Sequence, residues 1–188
     1  MNAGDHALRR EGVHDALRDP GGTRSWLSVI SPRLDVLTPA GLSASLGQFS
    51  QQLIGLRDAL RRLAAEATAD TRPAATSVVS DLPAAVSALN SAARATPSWP
   101  ALTWPPGQGP TQTMHADGPA AGAALAAIAR ESIALLSGDD RRQLRACLAP
   151  GCVLYFIKNH PRREWCSAAC GNRARAARHY QRHRQATG

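Results

Sequence analysis

"CSAACGNRARAARHYQRHR", residues 166–184, places two cysteines one helical turn apart and follows them with a dense basic run. A second pair lies upstream. The four cysteines are Cys147, Cys152, Cys166 and Cys170, in the pattern C-x4-C-x13-C-x3-C. Two close pairs separated by a short loop are what a tetrahedral structural zinc site requires, because each pair spans neighbouring corners of one tetrahedron. Four thiolates fill the shell and leave no position for a water, which argues for a structural ion over a catalytic one. At this level an iron–sulfur cluster uses the same four residues, and buried free thiols are the plain alternative. One Zn2+ per chain is the expectation.

Local composition around the cysteines predicts a knuckle, a hairpin and a helix. Ala149-Pro150-Gly151 allows a tight turn between the first two ligands. "VLYFIK" (153–158) is β-prone, and "REW" (163–165) is expected to return beside it, turning at Asn159-His160-Pro161. A bare hairpin is marginal in water, and a metal would hold it. Phe156 and Trp165 would cover the ion. Ser167 is placed to start a helix carrying Cys170 on its first turn. On a wheel at 100° per residue, Cys170, Ala176, Ala177 and Tyr180 fall near Arg173, whereas Arg175, Arg178 and Arg182 fall nearly opposite, with His179 beside them. Arg173 is therefore expected to brace the fold or the thiolates, and the other three to form an outward stripe.

Charge is concentrated at this end. From Arg141 onward there are eleven basic residues, opposed only by Glu164, so the tail carries +10 in a chain of +8 and residues 1–140 carry −2. Lys158 is the only lysine, so coding bias accounts for the choice of Arg but not for its clustering. Solvated helix faces usually mix signs, and a one-signed terminal module points to a polyanionic partner.

The preceding residues read as mainly α. Residues 1–24 are expected to be loosely ordered. "LTPAGL" (37–42) reads as a helix start, with Thr38 as N-cap and Pro39 at the first helical position. From Leu42 to about Ala67, Leu46, Phe49, Leu53, Leu56, Leu60 and Leu63 recur at helical spacing. "DLPAAVSALNSAARA" (81–95) predicts a second helix with Asp81 near its N-terminus. "PAAGAALAAIARESIALLSG" (119–138) predicts a third, with Pro119 at its start and Gly138 past its end. Between them, Trp99, Leu102 and Trp104 belong either to a small hairpin packed on the helices and turning at "PPGQG", or to a plain loop. "DDRRQLRAC" (139–147) reads as a short polar helix leading into Cys147. The division expected is 1–24, a helical domain over 25–138, and a finger over 139–188.

Residues 1–140 show no glycine fingerprint for a nucleotide and no nucleophile elbow. His6, His14 and His115 are isolated, so no catalytic residue is nominated and the protein is read as not an enzyme. No apolar run approaches the ~18 residues of a membrane span, and the N-terminus lacks the apolar core of a signal peptide. The chain is read as cytoplasmic, without a membrane partner. In that compartment paired thiols point to metal rather than disulfides.

Cys170-Gly171-Asn172-Arg173 spells the signature of the CGNR zinc-finger proteins, and residues 162–184 resemble that module closely. Members usually join it to an N-terminal, mainly helical domain called ABATE, and are described as stress-related transcription regulators in bacteria. Two features differ from the family pattern: Phe156 is followed by Ile157-Lys158 where an Asp is common, and no Asn-Thr motif precedes Trp26. The resemblance implies a zinc-dependent regulator that binds duplex DNA through the finger, the helical domain serving as sensor or homodimer platform. The residues nominated for nucleic acid are Arg175, Arg178, Arg182, Arg162 and Arg163. Arg173, Asn172 and Trp165 are nominated to support the metal site. The competing readings are an RNA-binding or protein-interaction module, set against by the absence of stacking aromatics on the outward stripe, and an enzyme in the helical domain.

Overall fold

The computed structural model describes residues 15–30, 46–75 and 77–186. The expected cap at Thr38 and Pro39 lies outside these residues, as do His6 and His14. Among the described residues, the helical part consists of α1 (Pro20–Ile30), α2 (Leu46–Thr68), α3 (Leu82–Arg94) and α4 (Ala120–Ser137), with a strand pair β1 (Ser98–Thr103) and β2 (Thr111–Ala116) between α3 and α4. The C-terminal part holds β3 (Leu144–Ala146), β4 (Tyr155–Ile157) and α5 (Ala168–Ala186).

The core follows the leucine stripe. Leu46, Phe49, Leu53, Leu56 and Leu63 of α2 are buried with Leu27 of α1, Leu89 of α3 and Ala124, Leu125 and Ala129 of α4. Burying each large apolar side chain contributes roughly 1.5–3 kcal/mol. The alanines of α4 let it approach α2 and α3 closely. Asp81 caps α3 by accepting from the Ala84 amide at 2.9 Å, and Gly138 closes α4.

Residues 20–24, expected to be loosely ordered, form the start of α1. The Asp19 carboxylate accepts from the Gly22 amide at 2.8 Å, and fully buried Thr23 donates to the Leu17 carbonyl and meets Ser50 of α2. A local cap and one crossing polar contact thus order a stretch whose composition reads as loop.

β1 and β2 pair antiparallel from Ser98↔Ala116 to Thr103↔Thr111, so the loop alternative is set aside. The turn is the expected one: Gln108 donates to Pro105 and Gly107 takes φ +75°. The hairpin does not bury its aromatics on the helices, because Trp99, Leu102 and Trp104 are 50%, 72% and 68% exposed. Trp99 instead stacks on cross-strand His115. The hairpin is tethered at its base, where Arg130 of α4 donates to the carbonyls of Ala93 and Thr96 and to Ser98 Oγ at 2.6 Å.

α4 is long and apolar enough by length and composition to cross a membrane, which corrects the expectation that no stretch approaches a membrane span. Here its alanine face joins the core and Arg130 is engaged by the protein.

Candidate metal centre and nucleic-acid interface

The stretch 139–147 is not one helix. A 3-10 turn spans Asp139–Gln143, and Leu144–Ala146 then forms β3. The hairpin of the finger also differs from expectation. β4 pairs with β3, in the register Leu144↔Ile157, Arg145↔Phe156 and Ala146↔Tyr155, and not with "REW". The first cysteine pair is itself the turn of this hairpin. Cys147 N–H donates to the Leu154 carbonyl, Cys152 N–H donates to the Ala149 carbonyl, both at 2.9 Å, and Gly151 supplies the φ of +71° that the turn needs. Three-residue strands carry too little pattern to announce their partner, and the knuckle decides it by bringing the two ligands together.

The second pair arrives on α5. Ser167 caps this helix, its Oγ accepting from the Cys170 amide at 3.2 Å. One ligating atom from each of Cys147, Cys152, Cys166 and Cys170 lies within 4.8 Å of the others. Cys152 Sγ is 3.7 Å from Cys166 Sγ, which is 3.4 Å from Cys170 Sγ. Sulfurs about 2.3 Å from a tetrahedral ion stand about 3.8 Å apart, so the cluster fits one Zn2+. Cys147, Cys152 and Cys170 are buried, and Cys166 is half-buried. Phe156 is buried among them and Trp165 packs on the cluster.

The electrostatics ask for a cation. Burial pushes the Cys152 thiol up to about 11 and raises Cys166 as well. Burial opposes ionisation of Cys170 too, but there the hydrogen bonds from Ser167 and the neighbouring thiols outweigh it and its pKa falls. Four thiolates in this space need a metal to displace their protons. With Zn2+ the centre is formally −2, and Arg173 Nη2 donates to Cys170 Sγ at 3.0 Å from the same helix.

A contact that the sequence reading missed joins this centre to the helical part. Arg72 Nη1 donates to the carbonyls of Cys147 and Cys152, at 3.0 and 3.3 Å. The same guanidinium pairs with Asp70, whose carboxylate also accepts from the Tyr155 hydroxyl at 3.2 Å. The Arg72 hydrogen bond, opposed by burial, holds the Asp70 carboxyl below the usual carboxylate range. No local pattern marks Arg72 for the knuckle, because the two carbonyls it meets there lie at least 75 positions away.

The exposed face of α5 is turned from the one expected. Its buried direction is set by Cys170, Gly171 and Ala174, because Trp165 lies where a side chain at Gly171 would be, 3.1 Å from that position. At 100° per residue, Asn172, Ala176 and His183 fall within about 30° of the opposite, outward direction, and His179 within about 50°. Arg175 and Arg182 are exposed on one flank, and Arg175 donates to the Asn172 side chain. Arg178, also exposed, sits over the Trp165 ring at 5.7 Å. Tyr180, expected on the cysteine face, lies beyond the cluster and is 71% exposed.

The remaining nominated arginines separate. Arg162 is exposed. Arg163 is half-buried: its guanidinium donates to the carbonyls of Trp165 and Cys166 and to Asn159 Oδ1, and it lies 5.2 Å from the Phe156 ring centroid. Of the tail's other arginines, Arg142 pairs with Asp139 and Arg145 donates to the carbonyls of Arg142 and Leu144.

Comparison with known families gives two matches. The family described as "ABATE: Putative stress-induced transcription regulator" matches residues 1–139, and the CGNR zinc finger matches residues 143–183. The chain belongs to the ABATE family. No curated protein matches it. In this ABATE protein the CGNR letters take distinct positions: Cys170 enters the metal cluster, Gly171 admits Trp165, Asn172 faces outward beside Arg175, and Arg173 bonds to the Cys170 sulfur. Neither matching family is enzymatic by description.

Proposed function

We propose that this protein is a zinc-dependent transcription regulator acting in the cytoplasm, in which α5 contacts duplex DNA and the helical domain serves for sensing or homodimerisation. The observation that carries this reading is the exposed surface of α5. It presents Arg175, Arg178 and Arg182 with no acidic residue after Glu164, on a helix whose first turn is tied to the metal cluster. A rigid basic helix of this kind suits a major groove. Arg162 is the fourth exposed candidate for phosphate. Arg163 is reassigned from phosphate contact to bracing the loop before Cys166. Arg173 supports the thiolates.

A second reading is favoured by Tyr180. An exposed aromatic beside His179, with the rings edge-to-face at 6.1 Å, is a stacking surface of the kind that single-stranded nucleic acids use.

Fluorescence anisotropy on duplex and single-stranded oligonucleotides across a salt series separates the two. Four phosphate contacts on B-DNA give a log–log salt slope of about −3.6 per finger. Duplex preference with that slope, reduced in an R175A/R178A/R182A variant that retains zinc, is expected. Single-strand preference lost in Tyr180→Ala favours the second reading. A slope near zero removes both and leaves an interaction module.

A further inference from the structure

His179 and His183 stand one turn apart on the outward face of α5, and both are exposed. Their Nε2 atoms are 3.1 Å apart, with ring centroids 4.4 Å apart and planes at 52°. Two neutral imidazoles in this arrangement share one proton, one Nε2 donating and the other accepting. The separation is also that of two ligands on one ion. Nitrogens about 2.05 Å from a metal stand about 3.3 Å apart in a tetrahedron and about 2.9 Å apart at a right angle. The observed value lies between these two limits. Histidines at i and i+4 on one helical face form the two-imidazole arrangement that helical zinc motifs use.

We propose that His179 and His183 form a second transition-metal site, separate from the cysteine cluster. It takes a borderline divalent ion that imidazole favours, such as Zn2+, with water completing the shell. On binding, the proton of the donating ring moves from Nε2 to Nδ1 by exchange with solvent, so both Nε2 lone pairs turn to the ion and both rings stay neutral. The site is weaker than the cysteine centre for two reasons. It offers two protein ligands in place of four, and Arg175 and Arg182 flank it with like charge. This inference needs neither reading of the nucleic-acid partner, and its test contains none.

The experiment is a calorimetric titration of further Zn2+ into the full-length protein that already holds one equivalent. A second, weaker step is expected. A brief wash with a mild chelator removes this second ion and leaves the first. The step is lost in His179→Ala and in His183→Ala and is retained in His160→Ala, which removes an exposed histidine outside α5. Zinc content and far-UV circular dichroism of each variant report that the first ion and the helix persist; a variant that loses the first ion is replaced by its glutamine counterpart. A titration without a second step overturns the proposal. So does a second step that survives both substitutions.

Discussion

Arg72 donates to the main-chain carbonyl of Cys147 at 3.0 Å, across 75 positions of sequence. Through this bond and its companion to Cys152, the loop after α2 grips both ends of the metal knuckle. The Asp70 side chain, 3% exposed, holds the guanidinium from behind and receives the Tyr155 hydroxyl.

Arg72→Ala removes this grip and leaves the buried Asp70 carboxylate with the Tyr155 hydroxyl and the main-chain amide of residue 72 as donors. Losing a charge-assisted donor to buried acceptors costs about 1.5–3 kcal/mol. The expected outcome is faster hydrogen exchange over residues 147–157 with an unchanged zinc content. Arg72→Lys rescues only partly, because one ammonium cannot reproduce the planar fork that meets Asp70 and two carbonyls together.

Cys166→Ser replaces the least enclosed ligand. Structural zinc in small fingers contributes roughly 10–16 kcal/mol, and that energy is folding energy. The variant is expected to lose zinc and the order of β3, β4 and the start of α5, while α2, α3 and α4 keep their core. Elemental analysis together with exchange protection checks both halves, and full zinc retention would contradict the assignment of Cys166 as a ligand.

Arg173→Ala and Arg178→Ala are expected to differ. The first removes the donor to Cys170 Sγ and should speed zinc loss to a chelator. The second sacrifices a cation–π contact with Trp165, worth about 0.5–1 kcal/mol at an exposed site, and should leave zinc in place while weakening nucleic-acid binding. Identical behaviour of the two variants in chelator kinetics and binding titrations refutes the division.

Asp15 gives the helical domain an acid limit. Burial raises its pKa, but the hydrogen bond and charge of Arg57, 2.6 Å away, with the Leu17 amide and Arg18, bring it below the usual carboxylate range. A carboxyl depressed on folding adds stability above its unfolded pKa of about 3.9, and that stability is lost as pH falls through the folded value. Asp70 adds a slope of the same sign. Asp15→Asn is expected to cost about 1–2 kcal/mol at neutral pH and to lose less stability than the parent on acidification. Urea melts at neutral pH and below about pH 3.5 measure the difference.

The parts legible in the sequence are those encoded within a few residues. The leucine stripe of α2 follows from helical period. Asp81, Ser167 and Gly138 mark helix ends because each satisfies a main-chain group or ends a run locally. Cysteine spacing announces the metal because the ligands of one tetrahedron come as two close pairs. "PPGQG" marks a turn, but the exposure of Trp99 and Trp104 depends on where the hairpin sits against the helices, and no residue within it specifies that.

By itself, then, the sequence determined a mainly helical chain ending in a four-cysteine module with a basic helix, since period, caps and ligand spacing act over one or two turns. Tertiary structure alone decided which strand β4 pairs with, which way α5 faces, and what grips the knuckle. Each of these depends on a contact between residues far apart or outside regular elements: Cys147 with Leu154 across the knuckle, Trp165 over Gly171, and Arg72 on two cysteine carbonyls. The turn of α5 shows the reason most directly. A wheel gives relative directions only, and the absolute direction is set by the indole that packs where a glycine leaves room.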